Sequence, residues 1–159
     1  MTKDTSMSML EKRRIEAEMI KEIYDVLKER HGEDEAQEII RISVSNSAIT
    51  QGKEFGAEYD HEPDLEDFAS HGHLWEKDNA LDREMVHKSP DRLEYNITRC
   101  SYATMYRDMG LGDIGHLLSC NRDASFCIGY SDNIELTRTQ TLMEGASHCD
   151  FRYRLKDST

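Results

Sequence analysis

In the stretch TQTLMEGASHCDFRY, from Thr139 to Tyr153, a base, a thiol and an acid stand side by side as His148, Cys149 and Asp150. A nucleophilic triad needs those three groups on one side of the backbone. If the chain is extended here, successive side chains point to opposite faces. Cys149, Phe151, Tyr153 and Leu155 then share an apolar face, while His148, Asp150, Arg152 and Arg154 share a polar one. The triad reading fails on that alternation, and His148 could act only if the turn before it redirects the ring. A preceding strand over 133–144 would put Ile134, Leu136, Arg138, Gln140 and Leu142 in one row, an apolar face interrupted by an arginine and an amide. Buried polar groups of this kind must be satisfied. A bound carboxylate would suit the planar guanidinium fork of Arg138, and an internal partner such as Asp123 would serve equally well.

Cys120, Arg122 and Asp123 form the second group. Asp113 can cap a helix through Ile114, Leu117 and Leu118, which would deliver these three residues at or just past its end, where sites tend to sit. Cys100 and Cys127 read as buried small hydrophobes.

The elements that must position these groups follow from hydrophobic period. Ile15, Met19, Ile23 and Val26/Leu27 recur as the stripe of an amphipathic helix ended by Gly32, and Ala36, Ile39/Ile40, Val44 and Ala48 mark a second one from about Glu33 to Gln51. Residues 1–55 are thus expected to form a helical hairpin. Residues 56–90 are acidic and contain His61, His71, His73 and His87, with a spacing that matches no metal site. They read as a solvated connector with one short helix around Leu65 to Trp75. Residues 91–159 carry a strand at Leu93 to Cys100, a helix from an N-cap at Ser101 to a stop at Gly110, the Asp113 helix, and a hairpin turning at Gly145-Ala146-Ser147. The expectation is one α+β domain: a helical hairpin, then a small antiparallel sheet with flanking helices.

Composition narrows the function. The 159 residues include no apolar run near the ~20 needed to span a bilayer, and the opening MTKDTSMSMLEKRR lacks the apolar segment of a secretory signal. A cytoplasmic protein is expected, its four cysteines reduced and without a C-x-x-C pair. Net charge is -12, with 22 acidic against 12 basic residues in 1–90. A surface so negative repels phosphate backbones, so nucleic acid is not an expected partner. Two amphipathic helices on a small domain suggest a homodimer, though they could equally cover the sheet.

The segment from Tyr95 to Tyr153 resembles the L-2-amino-thiazoline-4-carboxylic acid hydrolase family. The resemblance rests on Cys-x-Arg-Asp at Cys120 to Asp123, Arg-Thr-Gln-Thr at Arg138 to Thr141 and Gly-x-x-His-Cys-Asp-Phe at Gly145 to Phe151. It implies opening of a small cyclic isothiourea or amidine ring to give N-carbamoyl-cysteine, with no cofactor. Under it, Cys120 or Cys149 is the candidate nucleophile, Asp123 and His148 handle protons, and Arg138 with Gln140 and Arg122 hold the substrate carboxylate. In architecture the same half is similar to the 4-vinyl reductase domain of small-molecule sensors, where cysteines and a Glu hold zinc. Here Thr141 stands about where one such cysteine would be expected, which weakens the zinc reading; a small-molecule or zinc-binding module without catalysis is the alternative to a hydrolase.

Overall fold

A computed structural model describes residues 6–156; residues 1–5 of the opening stretch and 157–159 lie outside it. Helix α1 (Met9–His31) starts at Ser8, whose Oγ accepts from the Glu11 amide, and ends at Gly32, where φ is +84° and the amide reaches Lys28 O. The chain reverses into α2 (Glu33–Gly56), giving the expected helical hairpin. The predicted α2 stripe is the buried one: Ala36, Ile40, Val44 and Ala48 all face inward.

The α1 stripe faces the other way. Met19 is 65% exposed, and Ile15, Ile23 and Val26 are exposed with it, while Met9, Arg13, Ala17 and Tyr24 are buried. Hydrophobic period thus picked out a regular stripe on the outer face, and the inner face was hidden because it carries an arginine and a small alanine. Met19→Glu should therefore cost under about 0.5 kcal/mol in urea unfolding of the monomer. Ala17→Glu, placing a carboxylate at a position 1% exposed, should prevent folding.

Residues 56–90 hold the expected helix around Leu65 to Trp75, split in two, and an edge strand that the connector reading left out. Asp64 and Asp67 form a reciprocal capping box that starts α3 (Leu65–Ser70), α4 (Gly72–Glu76) and a 3-10 turn follow, and β1 (Leu81–Lys88) runs along the edge of the sheet. β1 escaped detection because it is exposed on both faces and broken by register shifts at Asp82/Arg83 and Met85/His87, so no alternation survives in its sequence.

The sheet is antiparallel throughout, in the order β1, β2 (Arg92–Cys100), β4 (Cys149–Leu155), β3 (Ile134–Thr137). β2 and β4 pair Leu93 with Tyr153, Tyr95 with Phe151 and Ile97 with Cys149. These residues make the face that meets the helices, and Cys149 points inward as the alternation requires. After β2 the chain turns into α5 (Ser101–Asp108). Cys100, not Ser101, holds the cap position; Ser101 Oγ accepts from Arg99. Gly110 stops α5 with φ +76°, and the Leu111 amide returns to Tyr106 O.

The Asp113 helix does not end before the Cys120 group. Residues His116–Cys120 form a π turn that runs directly into α6 (Asn121–Tyr130), so Cys120 sits at the junction and Arg122 and Asp123 in the first turn of α6. Such single-turn π segments are frequent at functional sites. α6 lies against α2 at backbone contact: a Cβ on Gly129 would stand 2.0 Å from Ile49 O, and one on Gly52 2.2 Å from Phe126 O. That crossing brings Gln51 of α2 alongside Arg122 of α6.

The strand expected over 133–144 is cut to its first third. β3 stops at Thr137, and 138–148 is a loop closed by the Asp150 carboxylate, which accepts from the Thr139 and Gln140 amides at 2.9 and 3.0 Å. Burial would raise the Asp150 carboxyl, but these bonds and the Thr139 hydroxyl hold it below its ordinary range. Gly145, at φ +98°, makes the predicted turn, yet the Ala146 amide closes it onto Thr141 rather than across a hairpin.

Candidate active site

Two apolar clusters make the core, one between α1, α2 and α5 and one between α6 and the sheet; Trp75, Leu81 and Cys100 pack against both. At this seam lies a cavity of about 150 Å³, a size known to admit one benzene ring. Its walls are aromatic and aliphatic, from Phe68, Trp75, Ile97, Phe126, Phe151 and Tyr153 among others, and polar side chains reach it from α1, α2, α4, β1, α6 and the loop after β3.

Asp123 is the central one. Its side chain keeps 29% of its surface accessible and lines the cavity. Arg138 donates Nη1 to Asp123 Oδ2 at 2.6 Å and Nη2 to Cys120 O at 2.9 Å, and its guanidinium lies 5.1 Å over the Phe151 ring. The row parity that placed Arg138 inward therefore holds, and its partner is the internal one, Asp123. Burial pushes the Asp123 carboxyl above its ordinary value, while the Arg138 charge and hydrogen bond oppose the shift. Oδ1 accepts no hydrogen bond from protein among the described residues.

Three thiols line the cavity: Cys120, Cys149 and Cys100, the last unexpectedly. Burial pushes each above the ordinary thiol value. The carboxylate of Asp123 adds to the shift at Cys120, and Cys149 Sγ accepts from the Leu142 amide at 3.2 Å. Cys127 lies outside the cavity, pushed up to about 12 by burial.

Gln140 and His148 are not part of the cavity wall. Gln140 Nε2 donates to His148 O at 2.9 Å, and His148 Nδ1 meets Ser147 Oγ at 2.9 Å, so both brace the 138–148 loop. The histidines of 61–87 disperse into local bonds: His61 with Asp60 and Asp67, His73 with Ser70 O, His87 with Ser89. Only His71, bonded to Tyr59 at 2.8 Å, reaches the cavity. Among the described residues no group of three or more His, Cys, Asp or Glu side chains is placed to hold a metal ion.

Two wall residues came with no sequence signal. Arg13, 4% exposed, extends from α1, where a charged residue reads as surface, and Gln51 extends from α2 for the same reason. Arg83 of β1 also enters, paired with Glu76 at 3.1 Å.

The family model of L-2-amino-thiazoline-4-carboxylic acid hydrolases matches residues 12–153, almost the whole chain. The chain belongs to this hydrolase family. The match reaches well beyond the motifs of residues 95–153 and takes in α1 and α2, so the Arg13 and Gln51 elements lie within the hydrolase unit. No curated protein matches the chain in sequence. Among solved structures, the phenol-responsive sensory domain of the transcription activator PoxR, crystallised with phenol, is similar in fold. Its TM-score is 0.55 at 10% identity, over 92% of this chain and 76% of that one. A hydrolase-family chain thus shares its architecture with a sensory domain, and fold alone does not choose between catalysis and binding. Among the described residues, no helix is long and apolar enough to cross a membrane.

Proposed function

We propose that this hydrolase-family chain opens a small cyclic amidine or isothiourea ring bound in the cavity, with 2-amino-thiazoline-4-carboxylate as the first substrate to test. The observation that carries this reading is the Asp123–Arg138 pair set against the aromatic walls of a cavity of ring size. A carboxylate with one oxygen fixed by Arg138 and the other facing the cavity is matched to an amidine, whose N–H groups form charge-assisted bonds to it.

Attack at the amidine carbon needs a nucleophile and a route for protons. Burial pushes all three thiols upward, away from the thiolate form, and water is taken as the attacking group. Water adds to the ring carbon, with one proton to the ring nitrogen. The carbon–sulfur bond then breaks as the hydroxyl becomes the carbamoyl oxygen, and its proton passes through Asp123 to the departing sulfur. Cys120→Ser and Cys149→Ser should each keep turnover within about tenfold of wild type. A loss near 10³-fold in either, the range lost when an essential group is removed, would reinstate that thiol as nucleophile.

The reading is tested by incubating the protein with a panel of cyclic amidines, lactams and ureides, each with and without a ring carboxylate, and following ring opening by the mass gain of one water. Opening of amidine rings supports it. A second reading, a ligand-binding module, draws on the aromatic walls and on the fold shared with a phenol-responsive domain; binding of ring compounds with no mass change in any of them would select it. The acidic surface favours neither nucleic acid nor membrane as partner, and the exposed α1 stripe is the face a homodimer would use.

A further inference from the structure

Every cavity arginine but one has a carboxylate. Arg83 pairs with Glu76, Arg138 with Asp123 and Arg13 with Glu16, whose oxygens accept at 2.8 and 2.9 Å. Arg122 has none. It is 8% exposed, its Nη2 donates to the neutral Gln51 Oε1 at 3.1 Å, and its Nε is buried with no acceptor among the described residues. Arg13 Nη2 reaches the same Gln51 oxygen at 3.4 Å. One amide oxygen thus stands between two guanidinium groups and carries no charge to offset either. Burial, with Arg13 adding to it, lowers Arg122 to about 10. A buried guanidinium without counter-charge, with one donor unmade, is costly unless something else supplies both.

We infer that Arg122, with Arg13 and Gln51, is an anion seat in the cavity wall that takes the carboxylate of a flat ring acid. The seat lies in the same cavity as Asp123, so one ligand with an anionic and a cationic end would meet Arg122 at the first and Asp123 at the second. This moves the carboxylate clamp from the 138–148 loop to the α1, α2 and α6 helices. The inference rests on the reading of the cavity as a ring site and not on hydrolysis. Arg13 and Arg122 also line an outer cleft between α1 and α2, with Ser43 and Ser47, so a simple anion arriving from that side is the competing source.

The test is calorimetric binding of thiophene-2-carboxylate and its uncharged amide, with acetate and phosphate as ringless anions. Wild type should bind the ring acid at least tenfold more tightly than the amide and than acetate or phosphate. Arg122→Gln should abolish that preference. Gln51→Glu should abolish it too, while raising the melting temperature, because an internal carboxylate then occupies the seat; this variant serves if Arg122→Gln does not fold. Equal binding of acid and amide by wild type, a preference that survives in either variant, or acetate and phosphate binding as tightly as the ring acid, would overturn the inference. Turnover does not enter this readout, so a failed hydrolysis assay leaves it intact and a failed binding assay leaves the hydrolysis reading intact.

Discussion

Asp123→Asn is expected to lower kcat/KM by about 10³-fold with the fold intact, the loss typical of removing a group that both holds the substrate cation and moves its proton. Asn keeps the shape and one acceptor for Arg138 but can neither balance an amidinium nor carry a proton. The pH profile supplies a second readout. Activity requires the ionised carboxylate, so kcat/KM rises with pH through the Asp123 pKa. Burial sets that pKa above the ordinary 3.8, against the pull of Arg138, so the acid limb should lie above the usual carboxylate range. Arg138→Gln, which removes the opposing charge, should move the limb to still higher pH. In Asp123→Asn the limb should vanish. A limb at the usual carboxylate position in wild type, or one retained in Asp123→Asn, would assign the proton chemistry to another group.

Gly129→Ala is expected to be the most damaging single methyl in the chain. The added carbon would stand 2.0 Å from Ile49 O and 3.0 Å from Lys53 N, both backbone atoms that no rotamer can clear. Overpacking a yielding core costs about 1–3 kcal/mol. Here two helices must separate, so about 3 kcal/mol or more is expected, a fall of roughly 6–12 °C in Tm for a domain of this size. The same separation moves Gln51 from Arg122, so any folded fraction should bind ring acids poorly. A Tm within 2 °C of wild type would show that α2 and α6 are not at backbone contact.

How much of this was legible in the sequence differs residue by residue. Strand alternation alone put Cys149 inward with Phe151 and Tyr153, and the parity of Ile134, Leu136 and Arg138 aimed the arginine at the same face. The parity could not show where β3 would stop. It stops because Asp150, one strand away, captures the Thr139 and Gln140 amides, a tertiary bond with no local signature. The motif residues Cys120, Arg122 and Asp123 were visible, but their place in a π turn and the first turn of α6 was not, since Asn121 to Tyr130 continues the helix without a new cap. Arg13 and Gln51 were invisible for a different reason: an arginine and a glutamine in long polar helices read as solvent-facing. Period misled outright in α1, where the more hydrophobic stripe is the outer one.

The central claim is that the cavity around Asp123 opens a cyclic amidine. Its most direct test is continuous detection of free thiol from 2-amino-thiazoline-4-carboxylate, comparing wild type with folded Asp123→Asn. The account predicts steady release by wild type and about 10³-fold less by the variant. Equal rates in the two proteins would contradict it, as would no release by well-folded wild type.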